Sequence, residues 1–94
     1  MKDKGSIDIS IQYCPGCKWL TRAAWYAQEL LSTFETELDA VSLIPSKTSG
    51  EFVIALGNQV VMDRAEEGFL EAKIVKRRVR DILDPSRALG HIDA

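Results

Sequence analysis

Between Ile7 and Phe34 the spacing of apolar residues changes its period once, and the change falls on a pair of cysteines. Ile7, Ile9 and Ile11 alternate with Asp8, Ser10 and Gln12, the two-residue repeat of a strand with one buried face. Leu20, Ala23, Ala24, Ala27, Leu30, Leu31 and Phe34 then recur at steps of three and four, one stripe of an amphipathic helix. A strand over 6–13 that feeds a helix over 18–36 confines the chain to folds in which a helix covers a sheet. Cys14 and Cys17, the only two cysteines, lie at the junction in Tyr13-Cys14-Pro15-Gly16-Cys17-Lys18.

The rest of the chain completes a small α/β domain. Asp39 to Ile44 is a second apolar run that Pro45 closes, so strand, helix and strand form a βαβ unit, expected to be parallel and right-handed. Ser46-Lys47-Thr48-Ser49-Gly50 reads as loop, and Phe52 to Leu56 as an interior strand. Gly57-Asn58 is a hairpin signal, and Val60-Val61-Met62 returns as the antiparallel partner. Asp63 to Gly68 is a polar loop. A second helix is expected from Phe69 to Leu83, burying Ile74, Val75, Val79, Ile82 and Leu83, with Asp84-Pro85 as its stop. The order is βαββα with the hairpin counted once: α/β (α+β), one domain over 1–94, a four-stranded mixed sheet, two main helices and a tail over 85–94.

The junction has chemistry built into it. Amide N–H groups in the first turn of a helix lack intrahelical partners and carry a partial positive charge that stabilises a thiolate. On this reading Cys14 stands at the N-cap and Pro15 at the first helical position that proline prefers. Gly16 leaves the sulfurs approachable, and a C-x-x-C pair on one turn can close into a disulfide and reopen.

Bulk properties narrow the alternatives. A net charge of −2 and a pI near 5.3 argue against a nucleic-acid partner bound through overall charge. No apolar run approaches the ~20 residues needed to span a bilayer. Met1-Lys2-Asp3-Lys4-Gly5 does not lead into a signal-peptide core, so a cytoplasmic location is expected. In that compartment two cysteines are redox-active or metal-binding more often than a permanent cross-link. Structural zinc wants four ligands, and the one histidine is His91 in the tail.

Ile11-Gln12-Tyr13-Cys14-Pro15-Gly16-Cys17, with Trp19-Leu20 and Arg22-Ala23-Ala24-Trp25, resembles the bacterial, cysteine-containing branch of the selenoprotein W-related (Rdx) family. Gln28 to Phe34, Glu66 to Lys73, Val79-Arg80-Asp81 and Asp84 to His91 carry the same resemblance along the chain. It implies a thioredoxin-like fold and a thiol–disulfide oxidoreductase that requires no bound cofactor. Glutathione is implied as a redox partner, and protein or low-molecular-weight thiols and disulfides as reactants; the charge and hydropathy above add the expectation of no nucleic acid and no membrane. Selenium-containing relatives carry selenocysteine at the second position of the motif, here Cys17, whereas thioredoxins attack with the first, here Cys14; both stay candidates. The cis-proline loop of thioredoxins is replaced by Thr48-Ser49-Gly50-Glu51, so a thioredoxin mode of substrate docking does not carry over. Many bacterial relatives have Gly-Phe-Pro-Glu where this chain has Gly68-Phe69-Leu70-Glu71.

Around the catalytic candidates Cys14 and Cys17, the expected substrate or partner contacts are Pro15, Gly16, Trp19, Ser49 and Gly50. Trp19 and Trp25, six residues apart on a continuous helix, would face directions about 240° apart. Lys73, Lys76, Arg77, Arg78 and Arg80 make the end of the second helix cationic, either as dipole compensation or as a docking patch. The rival to catalysis is a binding module that reports the oxidation state of the pair through Trp19, the 46–51 loop or this helix.

Overall fold

A computed structural model of the chain describes residues 7–87 and Leu89. Strand β1 (Asp8–Tyr13) buries Ile9, Ile11 and Tyr13 on one face and turns Asp8, Ser10 and Gln12 to the other. Helix α1 (Leu20–Thr33) follows, then β2 (Ala40–Pro45), β3 (Phe52–Leu56) and β4 (Gln59–Asp63), a short α2 (Arg64–Glu67) and α3 (Ala72–Leu83). The sheet order is β2-β1-β3-β4, with β1–β2 parallel and the other two pairings antiparallel. This is the expected mixed sheet of a thioredoxin-like fold. α1 and α3 pack on each other and on the face that carries Ile9, Ile11, Phe52, Ile54 and Leu56.

Register explains which side chains reach that core. Ile9 pairs with Val41 and Ile11 with Leu43 across the parallel ladder, and Ile11 with Ile54 and Tyr13 with Phe52 across the antiparallel one. Alternation therefore stacks one apolar face over all strands. In β4 a bulge opposite Ile54 and Ala55 inserts Val61, so that Val61 and Met62 are both buried although adjacent. The hairpin closes at Gly57, whose φ of +59° is left-handed backbone that glycine adopts at least cost.

Three expectations are corrected. The buried stripe of α1 is Ala23, Tyr26, Ala27 and Leu30, continued by Phe34; Leu20 and Leu31 are exposed. The helix begins at Leu20 rather than position 18, and Tyr26, three residues after Ala23 and four before Leu30, shares the buried face. The polar loop 63–68 contains α2, capped by Asp63 Oδ1, which accepts from the Ala65 amide at 3.1 Å. The last helix starts at Ala72 rather than Phe69. Gly68, at φ +76°, closes α2 by donating to the Arg64 carbonyl, and the next two residues are held in a non-helical linker. There the Tyr26 hydroxyl donates to the Leu70 carbonyl at 2.5 Å.

Candidate functional site

Cys14 leaves the end of β1, and the chain turns tightly instead of entering a helix. The Cys17 amide donates to the Cys14 carbonyl at 3.3 Å and the Lys18 amide to the Pro15 carbonyl at 3.1 Å, two overlapping turns. Lys18 then takes φ +64°, the one positive φ on a non-glycine residue among those described. That left-handed residue cannot belong to a right-handed helix, so α1 starts at Leu20 with Trp19 as its N-cap. Cys14 is therefore not an N-cap and Pro15 is not the first helical residue. The pair lies just before the helix, where the dipole acts from outside its first turn.

Cys14 and Cys17 stand at disulfide distance, with Cα atoms 5.3 Å apart. They differ in access: Cys14 is buried at 3% exposure beneath the end of the sheet, while Cys17 is half-buried. Pro15 and Gly16 are exposed between them, and a Cβ added at Gly16 would meet nothing within 4 Å. Among the described residues no group of three histidine, cysteine, aspartate or glutamate side chains converges to hold a metal. His91 lies outside the described residues.

Topology brings the 46–51 loop to this place. β2 and β3 flank β1, so the segment joining them crosses the end of β1 where Cys14 begins. The Ser46 amide donates to the Tyr13 carbonyl at 2.7 Å and holds the crossing against the strand end. Ser49 is exposed, and Gly50 is half-buried at φ +81°. No peptide bond among the described residues is cis.

Trp19 is half-buried in an aromatic cluster, edge-on to Phe69 at 5.1 Å and to Phe52 at 6.1 Å, with Phe52 and Phe69 5.0 Å apart. Two arginines cap it. Arg64 lies over the Trp19 ring at 4.9 Å and donates to the Gly50 carbonyl at 3.0 and 3.3 Å, while Arg22 lies over Phe69 at 4.2 Å. The loop and the residue two places after Cys17 are thus joined through one guanidinium. Sequence reasoning missed Arg64, Arg22 and Phe69, because cation–aromatic stacking between distant segments leaves no periodic trace.

Two further expectations change. Trp19 precedes the helix, so helical spacing does not separate it from Trp25; the two indoles border one groove with Lys18, Thr21 and Arg22. The cations of α3 are largely compensated: Lys73 meets Glu71, Lys76 meets Glu29, Arg78 meets Glu67 and Arg80 meets Asp81. Most of the cations on that helix therefore face a carboxylate among the described residues. The bidentate Glu67–Arg78 pair, at 2.7 and 2.8 Å, holds the Glu67 carboxyl below its ordinary range and raises Arg78. Burial pushes the Tyr26 phenol up, with Arg22 acting weakly in the opposite direction.

Comparison with known proteins agrees with this fold. The family model described as the Rdx family matches residues 8–81. The chain is similar to a protein of known structure from Bordetella parapertussis, 51% identical over 82% of this chain and 98% of that one, with a TM-score of 0.78. It is also similar to a selenoprotein W-related protein from Vibrio cholerae, 45% identical over 84% of this chain and 99% of that one, with a TM-score of 0.80. No match was found among curated proteins.

Proposed function

The chain belongs to the Rdx family, and from that premise we propose that it is a thiol–disulfide oxidoreductase whose working pair is Cys14 and Cys17. One observation carries the reading: the two sulfurs stand at disulfide distance at the end of an inner strand, one buried and one accessible. The accessible Cys17, as thiolate, attacks one sulfur of a substrate disulfide. A Cys17–substrate bond forms, the substrate's own S–S bond breaks, and its other sulfur leaves as a thiolate that takes up a proton. Cys14, deprotonated, then attacks the Cys17 sulfur, closes Cys14–Cys17 and releases the second substrate thiol. The substrate gains two electrons and two protons, and the protein dithiol is oxidised by the same two electrons. External low-molecular-weight thiols, glutathione among them, return the pair to the dithiol in a cytoplasmic setting.

The relative burial of the sulfurs supports Cys17 as the attacking atom, which is also the position that holds selenocysteine in selenium-containing relatives. The test is trapping. Cys14→Ser should accumulate a mixed disulfide on Cys17 and lose turnover, and Cys17→Ser should react slowly through a buried thiol. Full dithiol turnover in either variant would sink the mechanism. The potential of the pair, from alkylation and mass measurement in defined thiol buffers, is expected within about −180 to −280 mV.

A second reading, redox-dependent binding without turnover, draws support from Arg64. It ties the Gly50 carbonyl to Trp19, two residues beyond Cys17, so opening the disulfide has a direct route to the loop surface. Identical partner sets captured by the oxidised and reduced protein would count against it.

A further inference from the structure

Two clefts meet the Trp19–Arg64 stack, Trp19 lining one and Arg64 the other, and they differ in charge. On one side Thr48 to Glu51, Val53 and Asp63 to Ala65 mix Arg64 with two carboxylates, Glu51 and Asp63. On the other, a groove of about 380 Å³ is lined by Lys18, Trp19, Thr21, Arg22 and Trp25, with no acidic residue. Lys18 and Arg22 meet no carboxylate among the described residues. In a protein of net charge −2, whose α3 cations are mostly matched with acids, two unmatched cations beside the redox pair stand out.

The groove also has an aromatic floor. Trp25 is 44% exposed, and Trp19 is held edge-on by Phe69 and Phe52. The Arg22 guanidinium lies over the Phe69 ring, 4.2 Å from its centroid, and its N–H groups have no hydrogen-bond acceptor among the described residues. Tryptophan and arginine side chains together are the residue types at which protein interfaces concentrate binding energy.

Resting on the oxidoreductase reading above, we propose that this groove is the docking surface for an acidic segment of a partner protein, whose cysteine is thereby presented to Cys17. Charge complementarity selects the acidic residues, and the run of the lining from Lys18 along α1 to Trp25 suits a chain. It begins at the residue after Cys17 and follows α1 from Thr21 to Trp25, about 6 Å of helix and the span of about two extended residues. A peptide whose cysteine meets Cys17 lays its next residues along the indoles, with carboxylates toward Lys18 and Arg22.

The experiment uses three otherwise identical cysteine peptides, each activated as a 2-thiopyridyl disulfide, with Asp/Glu, Ser/Gln or Lys flanking the cysteine. Release of 2-thiopyridone by the reduced full-length protein gives the rates. The acidic peptide should react roughly tenfold faster than the basic one at low ionic strength, with the ratio shrinking as salt rises. Lys18→Gln/Arg22→Gln should bring the ratio close to one, and Lys18→Arg/Arg22→Lys should keep most of it; circular dichroism checks that both fold.

Equal rates for all three peptides would overturn the docking surface and leave the exchange chemistry standing. No release from any peptide would sink the exchange reading instead. Docking is then judged by titrating a cysteine-free acidic peptide against the tryptophan fluorescence of the disulfide form, where absence of salt-sensitive binding overturns it. Tighter binding of a single-stranded oligonucleotide would assign the groove to nucleic acid. Equal preference for a small dicarboxylate disulfide would assign it to small thiols. Either result rejects an acidic protein segment.

Discussion

Replacing Tyr26 by Phe removes one oxygen atom and tests how the site is braced. Tyr26 is 1% exposed on the inner face of α1, its ring 5.8 Å from Phe52, and its hydroxyl donates to the Leu70 carbonyl at 2.5 Å. Phenylalanine keeps the ring and its burial, so the cavity cost of a larger truncation, about 3–5 kcal/mol for an aromatic-to-alanine change, does not arise. What is lost is one hydrogen bond, worth about 0.5–1.5 kcal/mol net. Leu70 is only partly buried, so water can reach its carbonyl, and the expected loss is about 1 kcal/mol, or roughly 4–8 °C in Tm for a domain of this size. The same bond fastens the linker that carries Phe69 against Trp19. Urea unfolding of Tyr26→Phe and Tyr26→Ala, each followed by tryptophan emission, separates the two contributions. Tyr26→Phe should lose about 1 kcal/mol and shift the native emission, because Phe69 is less firmly seated. A loss below about 0.3 kcal/mol with unchanged emission would refute the bracing role.

The two glycines Gly57 and Gly16 should respond oppositely to alanine. Gly57→Ala is expected to cost about 1 kcal/mol because the residue is left-handed, and Gly16→Ala to be neutral or slightly stabilising, since its φ is not positive and the added methyl meets nothing; equal effects in thermal denaturation would contradict this. The Lys76–Glu29 pair is asymmetric, with the Lys76 side chain 8% exposed and Glu29 37%. Glu29→Gln, which leaves a buried ammonium without its counter-charge, should therefore destabilise more than Lys76→Met, and the reverse order in denaturant melts would be wrong for this packing. Acid sensitivity follows from Glu67 and Asp84, both held below their ordinary values, first by the Arg78 guanidinium and by Ser86 respectively. A lowered folded value means that protons favour the unfolded chain, so this stabilisation is full above about pH 4.5 and disappears as the pH falls through the folded-state values. Arg78→Gln should flatten part of the fall in Tm on acidification, and an unchanged pH profile would show that the pair contributes nothing.

Much of the fold was legible because alternation and helical spacing are local. Ile9 and Ile11, Phe52 and Ile54, and the hairpin at Gly57 declare their roles within a few residues, and the mixed sheet follows from their order. The position of the cysteine pair at the end of β1 was equally legible. Its relation to the helix was not, since nothing in Cys14-Pro15-Gly16-Cys17 signals that Lys18 takes a left-handed conformation. That single φ moves the start of α1 to Leu20 and takes both cysteines out of the helix.

The amino-acid sequence by itself determined the four strands, the two main helices and the pair of sulfurs, because each depends on neighbours close along the chain. Only the tertiary structure decided which sulfur is accessible, which cations are matched and which aromatic rings meet. Arg64 reaches Gly50 and Trp19, Arg22 reaches Phe69, and Lys76 reaches Glu29 across large separations in sequence. Such contacts depend on how helices and loops close over the sheet, and a charge or an aromatic ring carries no local mark of the partner it will find.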